Sequence, residues 1–242
     1  MKPLAGRRIL VTRPRELAGE LAGLIADAGG EAVIYPAIEI LDARDPGAAR
    51  ALLARAGDCD LAVFVSPSAV RKALELHPGP WPARIAAVGD GTRRSLEERS
   101  LRGVITPAGR ADSEALLARP ELQRAQGLRV LIVRGEGGRE LLAETLAARG
   151  AEVSVAECYR RARPGAPPPA GALDAACVSS GEALDNLVAL LGRARLERLP
   201  LFVAHERIAR RAREHGLEAL VLAGPRDAQM LERLVAYFGG AK

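Results

Sequence analysis

The stretch LIVRGEGGREL (131–141) sets Arg134 and Arg139 around Gly135, Gly137 and Gly138, after an apolar run and ahead of a helix-compatible one. Such a turn exposes main-chain N–H groups, and a helix N-terminus adds partial positive charge, so the stretch suits an anion. The spacing excludes two phosphate motifs. A dinucleotide fingerprint needs G-x-G-x-x-G, and Glu140 stands where the last glycine belongs. No Lys-Ser/Thr follows, so the turn is not a P-loop. A carboxylate site, or a tight turn that serves packing alone, are the readings that remain.

Other apolar runs open into helices through polar residues. Arg13 lies in VTRP (11–14), with Pro14 suited to a first helical position. Ser66 and Ser68 lie in FVSPSAV (64–70), and Ser179 and Ser180 in VSSGEAL (178–184). Thr92 follows the GDG turn, and Asp112 with Ser113 opens SEALL (113–117). Taken singly, each reads as a helix N-cap. In a parallel sheet, however, all these turns fall at the carboxyl ends of the strands, where ligands bind. Tyr159 in AECYRR (156–161) is a phenol that can donate a proton while packing its ring; a core tyrosine reads equally well. His205 in VAHERIA (203–209) is a strand-end donor or a solvated loop histidine. No Ser-His-Asp, paired-carboxylate or Cys-His arrangement accompanies them, and the isolated Cys59, Cys158 and Cys177 have no metal-ligand spacing. They read as small buried hydrophobes.

The elements that must hold these residues repeat along the chain. Residues 6–40 resemble residues 127–161, with Gly6 and Gly29 matching Gly127 and Gly150 at one offset; both copies read strand, turn, amphipathic helix, glycine stop, strand. DLAVFVSPSAVRKAL (60–74) parallels DAACVSSGEALDNLV (174–188), residues 84–105 parallel 199–220, and 106–117 parallel 223–234. Matched segments in one order argue for two copies of an α/β unit, with mostly parallel sheets and helices on both faces. ARPGAPPPAGA (162–172), with four prolines, is a linker. It lies too late for a simple tandem repeat, so the chain is expected to cross between lobes twice, on 33–41 and 156–162.

Bulk properties bound the rest. Of 242 residues, 48% are hydrophobic but only 3% aromatic, so the core must be Ala, Leu, Val and Ile. No apolar run approaches the ~18 residues of a membrane span, and the chain enters a strand without a signal-like segment, so a cytoplasmic protein with no membrane role is expected. The net charge of +5 is carried almost wholly by arginine, which suits bidentate recognition of carboxylates. Without a dense basic run or an aromatic stacking set, no nucleic acid partner is expected.

VTRP, FVSPSAV, AVGDGT, SEALL, VLIVRGEGGRELL, AECYRR, SSGEAL and HERIA, in this order over about residues 8–236, resemble the uroporphyrinogen-III synthase family. The resemblance implies two Rossmann-like, doubly wound lobes joined by a two-stranded linker. Lobe one would combine 1–36 with 163–242 and lobe two would be 42–155, with 37–41 and 156–162 as crossing strands. It implies a lyase that cyclises hydroxymethylbilane, a linear tetrapyrrole with eight carboxylates, with loss of water and inversion of ring D. No metal or organic cofactor is implied, and a monomer is expected. Tyr159 matches the tyrosine thought to protonate the departing hydroxyl. Ser66 and Thr92 match hydroxyls at the cleft, and Ser113 lies in the matching SEALL turn. Arg13, Arg134, Gly135, Gly138, Arg139, Ser179 and Ser180 match turns near the substrate. Ser68 stands where the family often has Asn, and HERIA replaces a Thr-rich turn, giving His205 and Arg207 that place.

Two other readings compete. One is a two-lobed anion-binding or sensor protein that closes on its ligand without chemistry. The other is a nucleotide-dependent transferase using the glycine-rich turn, which the missing fingerprint disfavours.

Overall fold

Short runs of Val, Ile, Leu and Ala bounded by polar turns favour extended backbone buried on both faces. The computed structural model describes residues 2–240; Met1, Ala241 and Lys242, at the outer ends of the expected first lobe, lie outside the described residues. Its strands are β1 (Arg8–Val11), β2 (Glu31–Ile34), β3 (Glu39–Asp42), β4 (Leu61–Phe64), β5 (Ile85–Ala87), β6 (Arg129–Gly135), β7 (Glu152–Ala162), β8 (Ala175–Val178), β9 (Leu201–Val203) and β10 (Leu220–Leu222). They form two five-stranded sheets, β10-β9-β8-β1-β2 and β3-β7-β6-β4-β5. The pairings of β1 with β2 and β8, and of β6 with β4 and β7, are all parallel.

The chain divides into two units. One comprises the chain up to Glu39 together with everything from Ala162 onward; the other is Ile40–Arg161. The passages between them therefore fall in β3 and at the end of β7, which are neighbours in the second sheet. The segment expected as a separate crossing strand over 156–162 is continuous with the strand before it, in one eleven-residue β7.

The internal repeat is a repeat of topology. The order β2-β1-β8-β9 in one sheet corresponds to β7-β6-β4-β5 in the other, and the counterpart of β10 is a single parallel bridge from Ala86 to Ile105. Even the backbone repeats. Gly6 and Gly127 have φ of +76° and +73°, and Gly29 and Gly150 have +90° and +84°. These left-handed conformations end the same helix and turn in each copy, where a side chain would be strained.

In the second unit the pleat sorts side chains onto two faces. Ala62 and Phe64 of β4, with Leu131 and Val133 of β6, pack in one cluster; Leu61, Val63, Val130 and Ile132 pack in another on the opposite face. In the first unit, Ile9, Val11, Ala175 and Phe202 pack against the helices Gly19–Asp27 and Asp227–Gly239. Each buried Val, Leu, Ile or Phe among them contributes roughly 1.5–3 kcal/mol. The proline-rich segment has no regular structure and is tied down within the first unit: Arg8 donates to the carbonyls of Ala170 and Ala172, Arg195 to those of Pro169 and Gly171, and the Tyr35 hydroxyl to that of Ala166.

Cys158 and Cys177 are buried, and desolvation pushes both thiols up to about 12. Cys59 is only partly buried, less enclosed than the sequence suggests. Iodoacetamide at neutral pH should therefore modify Cys59 alone in the native protein and all three thiols after denaturation, read by intact mass. Native labelling of Cys158 or Cys177 at the Cys59 rate would contradict this packing. Among the described residues no cluster of His, Cys, Asp and Glu could hold a metal ion, and no helix is long and apolar enough to cross a membrane.

Candidate active site

In an open parallel sheet, the crevice forms where neighbouring strands feed connections in opposite directions. Here those pairs are β1/β8 in the first unit and β6/β4 in the second. The turns holding Arg13, Ser179 and Ser180 follow β1 and β8, and those holding Ser66, Ser68 and Arg139 follow β4 and β6, whereas Thr92 and His205 come after the neighbouring strands β5 and β9.

In the second unit the parallel register of β6 and β7 breaks between Arg134 and Gly135. Arg134 pairs with Glu157 and Gly135 with Tyr159, leaving Cys158 as the extra residue of a bulge. The bulge aims the Tyr159 ring across Gly135. A Cβ on Gly135 would lie 2.6 Å from Tyr159 Cζ, so only glycine permits this approach. The Tyr159 hydroxyl sits 3.0 Å from Ser66 Oγ, and its carbonyl accepts the Glu136 N–H at 2.7 Å. Ser66 N-caps the helix Pro67–Leu76 and accepts the Ala69 N–H at 3.1 Å. Tyr159 exposes only 3% of its surface and belongs to the core cluster. The ring packs in the core, while the hydroxyl meets a polar partner.

Arg134 is buried, and its guanidinium points into its own turn. It donates to the carbonyls of Gly138 and Arg139, to Glu140 at 2.6 Å and to Glu157 at 3.1 Å. Its hydrogen bond holds the Glu140 carboxyl below the usual range. Two carboxylates therefore already neutralise Arg134, which holds the turn from within. Glu140 places its carboxylate on Arg134, so no side chain caps the helix Leu141–Ala148. The main-chain N–H groups of that uncapped end, more than the Arg134 side chain, are what the turn offers a carboxylate. Glu136 accepts the Arg44 N–H at 2.5 Å, joining this turn to the β3 connection. Arg139 is exposed and pairs with Glu114 at 2.5 Å.

The cap readings divide. Ser66, Asp112 and Ser180 are N-caps whose side chains accept from Ala69, Ala115 and Ala183. Ser68, Thr92 and Ser113 instead lie inside the first turns of their helices, because Ser66, Gly89 and Asp112 take the cap positions. Ser68 and Thr92 are buried there. Pro14 is the cap of a short 3-10 helix, Arg15–Leu17, rather than a first helical residue.

In the first unit, Thr12 is buried and donates to the Cys177 carbonyl at 2.7 Å, joining β1 to β8. Next to it, Arg13 forms an ion pair with Asp227 and donates to the Pro225 carbonyl. Ser179 and Ser180 follow β8. His205 caps Glu206–Glu214 without a side-chain hydrogen bond, and partial desolvation and the Arg207 charge lower its pKa, so the ring is neutral at pH 7. Arg207 is exposed on the first turn of that helix.

The site residues thus fall into two sets. Ser66, Gly135 and Tyr159 touch, as do Arg134, Gly138 and Glu140. Arg13, Ser179, Ser180, His205 and Arg207 belong to the other unit. Sequence reasoning missed Glu157, Glu140 and Asp227, the carboxylates that occupy Arg134 and Arg13. Glu157 lies opposite Arg134 in the register of two parallel strands, which no local spacing shows, and Asp227, 214 positions beyond Arg13, left no signal either.

A family model described as uroporphyrinogen-III synthase HemD matches residues 19–232. The uroporphyrinogen-III synthase of Salmonella typhimurium is 38% identical over 244 residues, covering 93% of this chain and 98% of that protein. That of Escherichia coli is 36% identical, with the same coverage of both. The chain belongs to the uroporphyrinogen-III synthase family. It is an enzyme of that family, and a binding-only role finds no support among these relatives. Two solved structures share the fold. The Thermus thermophilus uroporphyrinogen III synthase mutant has TM-score 0.61 at 19% identity, covering 96% of this chain and 100% of that one. The Helicobacter pylori enzyme has TM-score 0.62 at 13% identity, covering 96% and 99%. These relatives leave the roles of individual residues to the local geometry.

Proposed function

We propose that this enzyme closes hydroxymethylbilane into the type III ring, with loss of water and inversion of ring D, and that Tyr159 is the proton donor. The observation that carries the residue assignment is the Tyr159 hydroxyl, held against Ser66 beside the strands where the second sheet switches direction. Its O–H bond breaks and the proton goes to the hydroxyl of the hydroxymethyl group on ring A, at the opposite end of the chain from ring D; the carbon–oxygen bond of that group breaks to release water. The remaining azafulvenium carbon attacks the substituted end of ring D, and fragmentation and reclosure of the spiro intermediate invert that ring. The proton lost as the ring regains aromaticity returns to the phenolate. The pyrroles supply the electrons, so the reading needs no metal or organic cofactor.

The protein's remaining task is orientation, which can supply roughly 7–11 kcal/mol of a barrier. The uncapped N–H groups at Leu141–Ala148 and the exposed Arg207 suit the carboxylate side arms, and so does Arg139, whose pair with Glu114 is solvent-exposed and therefore weak enough to exchange. Arg13 and Arg134 shape their turns, since carboxylates already occupy their guanidiniums. Ser113, Ser179, Ser180 and His205 add donors around the two sets of turns. We place the enzyme in the cytoplasm as a monomer.

Purified protein given fresh hydroxymethylbilane should yield the type III isomer by chromatography, faster than buffer yields type I. Type I alone, at the rate of buffer, would remove this reading.

A further inference from the structure

The geometry points to Ser66 as a positioning residue that makes Tyr159 an acid: its hydroxyl donates to the phenol oxygen, frees the phenol O–H for the substrate, and holds the phenolate that remains. This rests on the proposed cyclisation.

A serine hydroxyl has one proton and two lone pairs. At Ser66 one lone pair takes the Ala69 N–H at 3.1 Å, and Tyr159 Oη lies 3.0 Å away. Either hydroxyl could donate across that gap, and the two directions differ in consequence. A Tyr159 proton held by Ser66 is not available to another acceptor. With Ser66 as donor, the phenol proton is left for another acceptor and the charge left on Oη keeps a hydrogen-bond partner. Two features favour this direction. Accepting the Ala69 N–H polarises the Ser66 hydroxyl and strengthens it as a donor. The N-terminus of the ten-residue helix Pro67–Leu76 also favours negative charge close to it. The phenol cannot swing elsewhere, because its ring lies on Gly135 and its carbonyl is held by the Glu136 N–H. Ser66 thus acts through Tyr159, in addition to capping its helix.

Three substitutions separate capping from proton control. Glycine caps nearly as well as serine but has no hydroxyl, whereas threonine keeps both. Ser66→Gly should lower kcat about 10- to 100-fold, the range for a hydrogen bond to a charged group, with KM unchanged, and Ser66→Thr should restore most of the rate. In a Tyr159→Phe background, Ser66→Gly should cost nothing further. Additive losses, or a Ser66→Gly defect confined to KM, would overturn the inference. A readout independent of turnover is the tyrosine Fermi doublet in the Raman difference between wild type and Tyr159→Phe, without substrate. It should report a phenol that accepts a hydrogen bond, and this character should vanish in Ser66→Gly. A phenol that only donates would overturn the inference even if the type III ring is made. If wild type makes only type I, the proposed function fails, and the Raman result still decides the direction of the bond.

Discussion

Replacing Tyr159 by phenylalanine is expected to lower kcat for type III ring formation by about 100- to 10,000-fold, the contribution of a well-placed general acid. Stability should fall by only about 1 kcal/mol, since one hydrogen bond is lost and the ring remains. The ring packs in the core cluster of Phe64, Val133 and Ala156, and phenylalanine fills the same space over Gly135. Turnover and urea unfolding, measured on the same preparation, check both halves. Wild-type turnover in a folded Tyr159→Phe protein would return the residue to packing alone.

The second large effect is expected at Asp227, where Asp227→Ala should destabilise the protein by about 3 kcal/mol. Its side chain is 4% exposed and that of its partner Arg13 is 17% exposed, so removing the carboxylate strands a positive charge largely away from water. The urea midpoint should drop while the slope stays constant, because the unfolded state is unchanged. Replacing the pair together, Arg13→Met with Asp227→Leu, should recover much of the loss, as buried pairs and apolar substitutes are often close in energy. A midpoint in Asp227→Ala equal to that of wild type would mean that the pair contributes nothing. The same experiment bears on substrate binding. If Arg13 shapes its turn, the double variant should keep most of its affinity for hydroxymethylbilane.

These cases show how unevenly the site was legible. Tyr159 and Ser66 are 93 positions apart, yet Ser66 follows a strand and Tyr159 lies on one, each in a recognisable pattern, so each was found separately. Their contact was not, because it depends on a one-residue bulge at Cys158 that no spacing in AECYRR signals. Arg134 was visible as an arginine in an anion-friendly turn. Its partners were not: Glu157 reaches it across two strands, and Glu140, although local, reads from sequence as an ordinary first-turn acid. Thr92 and Ser68 lie three and two positions past the true caps, Gly89 and Ser66, enough to move a hydroxyl from a cap to a buried first turn.

The fold was far more legible. Apolar runs of strand length and glycines at one offset are properties of short stretches, and they bound the architecture because a parallel sheet must bury both faces and cross over through helices. The sequence alone therefore determined the duplicated α/β plan, the ordered family motifs and the identities of the strand-end residues. Only the tertiary structure decided which charges were already paired, which hydroxyls faced a partner, and that Gly135 makes room for a phenol ring. Periodicity is written in neighbouring residues, whereas a hydrogen bond or an ion pair depends on distances of a few ångströms between segments remote in the chain, set only when the sheets are packed.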